Sequence, residues 1–261
     1  MANEGFRTLP TGGAAAPPYT KGPYRFSEDI EFAGQARLNT NRCTFVEQFE
    51  QAPLLNAAIA VGANLNYEVL GTNMTSALST FCTTRSGIRM TTAGADNDQA
   101  YLWPHADTKQ TALTNTLWGT ENQVSWEAIL TTGDDITTGV LLWAGLKLTV
   151  DPTVATDDNQ AFFRFSTDDS DTNWEIVYSI AGTDVTVDSG IAVAVSTQYK
   201  LRIDIDDDRV AKFYINDVLI KTTAALANDI DLIPFIGVQA LSGTAEFLEV
   251  QRSTISRVFF E

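Results

Sequence analysis

The chain has 261 residues, 44% of them hydrophobic, with 17 Lys and Arg set against 33 Asp and Glu for a net charge of −16. That length and apolar content suit one large all-β domain or two small ones with a full core, and they exclude global disorder. The charge argues against nucleic acid or an anionic membrane as partner, because both require a positive surface. No apolar run reaches the roughly 18 residues of a membrane helix. The opening MANEGFRTLPTGG has neither a basic n-region nor an apolar h-region, so no secretory signal is expected and folding in the cytoplasm is. In that compartment Cys43 and Cys82 are expected as free thiols.

Residues 1–42 stand apart from the rest. They hold five Lys and Arg against four Asp and Glu, which leaves −17 for the remainder. LPTGGAAAPPYTKGPYRF carries Pro10, Pro17, Pro18 and Pro23 with three glycines. Proline fixes φ and removes an N–H, so neither a helix nor a central strand is expected there. A purely solvated tail rarely carries Phe6, Leu9, Tyr19, Tyr24, Phe26 and Phe32. An extended arm that lies on another surface is predicted, with Phe6, Leu9, Pro17, Pro18, Tyr19, Tyr24 and Phe26 as contact residues. The alternative is that it packs back on its own domain.

From Cys43 to the end, residues 43–261 read as a β-sandwich domain. CTFVEQFE alternates apolar and polar residues with the period of a half-buried strand. APLLNAAIAVGAN, residues 52–64, fits a short helix or a loop. LNYEVLG alternates again; GIRMTTAG and ADNDQAYLWPH read as strand, polar turn, strand. QVSWEAILTTG and ITTGVLLWAGLKLTV are rich in β-branched and aromatic residues between Gly and Asp turns. NQAFFRFST and WEIVYSIAG flank the polar loop DDSDTN. TDVTVDSGIAVAV follows. QYKLRIDI then puts Leu201, Ile203 and Ile205 on one face and Lys200, Arg202 and Asp204 on the other. RVAKFYINDVLIKT turns at Asn216-Asp217, and IPFIGVQALSG and AEFLEVQRSTISRVFFE close the chain. Roughly twelve to fourteen short strands without crossover helices predict an antiparallel two-sheet sandwich. No period of repeat suggests a propeller or solenoid.

The acidic loops invite a metal reading that their spacing does not support. Asp169-x-Asp171-x-Asn173 approaches a calcium loop, but Trp174 replaces the turn glycine and Ile180 the bidentate glutamate. A looser calcium site at Asp157-Asp158, Asp168-Asp169-Asp171 or Asp206–Asp208 stays open beside the default of solvated turn carboxylates, and no cofactor is expected. The Glu-x-Asp-x-x-Glu string of sandwich glycosidases is missing; Glu246-x-x-Glu249 has the wrong spacing, and Glu127 and Glu175 are single acids. His105 is the only histidine, which excludes a multi-histidine metal centre and leaves one imidazole for any triad. No G-x-S-x-G, P-loop or G-x-G-x-x-G occurs. No catalytic or metal residue is therefore assigned, and the chain is expected not to be an enzyme. Of the five tryptophans, Trp103, Trp126, Trp143 and Trp174 lie in apolar strand-like strings and read as core. Trp118, in LWGTEN, is the candidate glycan contact.

The strings ADNDQAYLWPH, NQVSWEAILTTGDDITTGVLLWAGLKLT, DDNQAFFRFSTDDSDTNWEIVYSIAG and YKLRIDIDDDRVAKFYINDVLI together resemble the concanavalin A-like jelly-roll domains of tailed-bacteriophage virion proteins. The resemblance implies a jelly-roll sandwich of the lectin and glucanase type carrying an N-terminal arm. It further implies a capsid decoration or cement protein on the virion surface, assembled in the host cytoplasm. Its partners would be the major capsid protein and sister subunits, in a dimer or trimer. A lectin-like module that binds cell-surface glycans is the alternative.

Overall fold

The computed structural model of the chain describes residues 42–50, 54–55, 66–104, 113, 115–149 and 151–258. It is a two-sheet jelly-roll sandwich, and all strand pairs but one are antiparallel. The first sheet contains β1 (Arg42–Glu47), β4 (Ser79–Phe81), β5 (Ile88–Thr91), β7 (Ser125–Thr132), β12 (Gln198–Ile205), β13 (Val210–Ile215), β14 (Val218–Ala225) and β16 (Phe247–Val258). Its order is β14-β13-β12-β7-β16-β5-β4, with β1 also paired to β16. The second sheet contains β2 (Leu54–Leu55), β3 (Tyr67–Leu70), β6 (Gln99–Pro104), β8 (Val140–Lys147), β9 (Gln160–Ser166), β10 (Asn173–Ile180), β11 (Thr183–Ala192) and β15 (Ile233–Ala240). Its order is β11-β10-β9-β8-β15-β6-β3-β2, and only β2 and β3 run parallel.

Alternation in the sequence becomes burial in the sheet. Along β12, Tyr199, Leu201, Ile203 and Ile205 are buried while Lys200, Arg202 and Asp204 lie at the surface. Trp126, Ala128 and Leu130 of β7 join them from the neighbouring strand. Opposite, the second sheet contributes Leu142, Ala144, Leu146, Phe163, Phe165, Trp174, Ile176, Ile236 and Val238. Phe163 meets Phe213 edge-on at 5.4 Å and Trp174 meets Tyr199 at 5.5 Å, so aromatic pairs tie sheet to sheet.

The turn chemistry is also as read. Asn216 and Asp217 have φ of 50° and 67°, the pair of left-handed residues that a tight two-residue hairpin requires. Asp206 accepts from the Asp208 and Val210 amides and pairs with Lys212 at 2.9 Å. Partial desolvation pushes the Asp206 carboxyl up, but Lys212 and those amides outweigh it and hold it below the ordinary range. GIRMTTAG and ADNDQAYLWPH are strands β5 and β6 but not a hairpin: the chain crosses there from the first sheet to the second. Of residues 52–64, only β2 is described.

Candidate functional site

The two outer faces of the sandwich differ in kind. On the second sheet, Tyr101, Trp103, Trp143, Phe162, Val177 and Phe235 form an apolar cluster separate from the core between the sheets, and all six are buried. Trp143 packs on Phe235 at 5.3 Å, with Tyr101 at 5.6 Å and Trp103 at 5.8 Å from the same ring. Lys147 is buried on this face beside Asp157 at 3.5 Å, over the Phe162 ring at 5.1 Å, and donates to the Asp151 and Thr153 carbonyls. Burial pushes the Lys147 ammonium down, against the pull of Asp157 and Asp151. This face is closed.

The outer face of the first sheet is polar and open. Strand register sets rows across it: Tyr214, Arg202, Glu127 and Thr254 lie in one row, and Lys212, Asp204, Ser125 and Ser256 in the next. Between them lies a groove of about 400 Å³ lined by Arg42, Thr44, Gln123, Ser125, Glu127, Arg202, Asp204, Arg252, Thr254 and Ser256. Glu127 ties Arg252 to Lys200, which is 3.2 Å away and also bridges to Asp217 at 2.9 Å. The Asp217 carboxylate, with Glu127 behind it, raises the Lys200 ammonium above its ordinary value. Arg202 lies 3.3 Å from Asp204 and stacks over the Tyr214 ring at 4.0 Å. Asp204 accepts from the Ser125 hydroxyl at 2.6 Å, and Arg42 reaches the Ser256 hydroxyl at 3.2 Å. Thr254 Oγ1 is buried in the groove with no hydrogen-bond partner.

Among the residues singled out from sequence, the structure corrects one. Trp118 is fully buried: its indole N–H donates to the Leu113 carbonyl at 3.0 Å, and its ring takes the edge of Phe45 at 5.8 Å. It cannot meet a glycan from the surface. The turn string LWGTEN is polar, but β1 and the core close over its tryptophan, a long-range contact that local polarity does not reveal. The arm residues Phe6, Leu9, Pro17, Pro18, Tyr19, Tyr24 and Phe26, and His105, lie outside the described residues. Several acids of the loops have protein partners. Asp157 holds Lys147, Asp171 accepts from the Ser166 amide, and Asp169 pairs with Arg164 at 3.1 Å. Among the described residues no group of three His, Cys, Asp or Glu is placed to hold a metal ion. Cys43 and Cys82 are free thiols. Sequence reading missed the groove, although Lys200, Arg202 and Asp204 were placed on the outer face of β12; the strands that complete it are far away in the chain.

No protein-family model and no curated protein matches the sequence. Solved structures do match the fold. A protein of unknown function from Shewanella oneidensis MR-1 superposes with a TM-score of 0.55 at 12% identity, covering 96% of this chain and 98% of that one. An alginate lyase of polysaccharide lyase family 7 superposes with a TM-score of 0.54 at 14% identity, covering 80% of this chain and 94% of that one. A β-glucanase from Bacillus licheniformis reaches 0.49 at 12% identity over 81% and 97%. The class defined is the concanavalin A-like jelly-roll sandwich. The expectation that the chain is not an enzyme is thereby corrected: a polysaccharide lyase is built on this same architecture, and the missing glycosidase string rules out only one placement of acids.

Proposed function

We propose that the chain is a carbohydrate-binding jelly-roll protein, and that a segment of a glycan chain lies in the polar groove on the outer face of the first sheet. One observation carries the reading: Arg202 and Glu127 stand side by side on neighbouring strands of an open face, Arg252 pairs with Glu127 from the next strand, and Tyr214 lies at the margin. Guanidinium and carboxylate groups pair two atoms at a time with neighbouring hydroxyls, and a tyrosine ring offers an apolar face to a sugar ring. Rigid strands fix these groups, so little ordering entropy is lost on binding. The alginate lyase likeness supports the fold alone, so the groove bears the weight of the proposal. A place on a phage capsid, with an arm against the major capsid protein, gains no support from the comparisons, and its arm lies outside the described residues.

The test is a panel of immobilised polysaccharides probed with the intact protein and with Arg202→Ala, each incubation also read for chain cleavage. Binding to at least one polysaccharide is expected, weakened about tenfold in the variant as the charge-assisted contacts of the guanidinium are lost. Failure of the intact protein to bind any polysaccharide sinks the proposal.

A further inference from the structure

The groove does not end at Arg252. That residue also lines a second depression, of about 490 Å³, together with Gln48, Arg85, Ser86, Ile129, Gln198 and Gln251. The two depressions follow β7 from Ser125 toward Thr131 along β16, a path of roughly 20 Å at the usual rise per strand residue. They form one track long enough for several units of a linear polymer.

The track's charge is opposite to that of the protein. The chain as a whole has about twice as many acids as bases. The lining of the track has Arg42, Arg85, Arg202 and Arg252 against Glu127 and Asp204. Arg85 hydrogen-bonds a neutral acceptor, Thr131 Oγ1 at 2.8 Å, and forms no ion pair among the described residues. Thr131 passes the contact on to Gln251 Oε1 at 3.3 Å. Gln251 is only 7% exposed, and its Nε2 has no partner. The track therefore ends in a buried amide donor without an acceptor, next to a guanidinium that has no counter-ion among the described residues. Burying a donor unpaired costs about 1–3 kcal/mol, so a ligand that supplies an acceptor there gains what the free protein lacks. Guanidinium groups supply donors only, and their strongest partners are anionic oxygens.

We infer that the track selects an acidic linear polysaccharide, one whose carboxylate or sulfate groups meet Arg85, Arg202 and Arg252. The inference rests on the carbohydrate reading and names the ligand class within it. The strongly negative remainder of the surface repels polyanions in general, so recognition is confined to this track and is sensitive to salt.

The experiment compares a polyuronate, a sulfated dextran and neutral dextran by affinity electrophoresis and calorimetry, with single-stranded DNA as a non-sugar polyanion. Variants Arg85→Gln and Gln251→Leu are tested beside the intact protein, with thermal melts to show that each folds. Arg85 is exposed on a loop, and its contact with the sheet is the hydrogen bond to the Thr131 hydroxyl. Tight binding of an acidic polysaccharide is expected, and which of the two binds names the anion. Arg85→Gln should weaken it about tenfold. Raising NaCl from about 0.05 to about 0.3 M should weaken it similarly. Neutral dextran bound as tightly as the acidic chains overturns the inference and leaves the carbohydrate reading standing. Equal binding of single-stranded DNA, or acidic binding indifferent to both variants, also overturns it. No binding of any polysaccharide overturns the carbohydrate reading itself.

Discussion

Glu246, just before β16, is 3% exposed, and its Oε1 has no hydrogen-bond partner. Its backbone is locked by Thr92, whose hydroxyl accepts from the Glu246 amide at 2.9 Å. Burial, with Asp135 and Asp134 adding repulsion, pushes the carboxyl up to about 7. In the unfolded chain it titrates near an ordinary glutamate value of about 4.3. The folded pKa is the higher one, so the native state keeps a proton that the unfolded state has released. Stability from this group is full below about 4.3, falls as pH rises to about 7 and is flat above. Those two values set the loss at no more than about 3–4 kcal/mol. Glu246→Gln carries no charge at any pH. It should therefore stabilise the protein by up to that amount at pH 8 and change little near pH 4, as read from urea midpoints at the two pH values. A variant no more stable than the parent at pH 8 would show that the carboxyl is not under this strain.

At the scale of elements, the same physics explains what could be read in advance and what could not. Strands β7, β12 and β13 alternate because one face is wet, and the facing of β12 was legible in the sequence; in β13 Phe213 and Ile215 are buried as expected, but Val210, also expected near the core, is half-buried and Ala211 takes the inward place. VLLWAGLK, AFFRFS and IPFIGV do not alternate, because both faces of the second sheet are buried. From such a run one can infer a strand but not which side meets the other sheet. β2 and β4, of two and three residues, are too short to show any period. Gly237 of β15 marks how tightly that second outer face is packed. A Cβ there would stand 2.4 Å from Trp143 Cζ2 and 2.5 Å from Tyr101 Cβ, both on strands paired with β15. Gly237→Ala should cost about 1–3 kcal/mol in urea unfolding through overpacking. Gly243→Ala, with open space around it, is the matched control and should differ little. Equal stability of the two variants would mean that the aromatic cluster yields easily.

For the whole molecule, burial divides the tryptophans from the candidate site. Trp103 is 4% exposed, and Trp118, Trp126, Trp143 and Trp174 are fully buried. The native protein should show blue-shifted emission resistant to iodide, and glycan binding in the groove should leave that emission unchanged. Quenching of native fluorescence by iodide, or a spectral shift with ligand, would place a tryptophan at the surface after all. The sequence by itself determined the all-β class, the sandwich and the hairpin turns, because alternation, turn residues and charge act over neighbours in the chain. It also placed Lys200, Arg202 and Asp204 on a wet face. Only the tertiary structure decided that Arg202, Glu127 and Thr254 share one row, that Arg85 and Gln251 extend the same track, and that Trp118 is sealed inside. Those relations depend on which strands pair and in what register, and register is fixed by burying the apolar faces of the two sheets together, an energy to which the whole chain contributes.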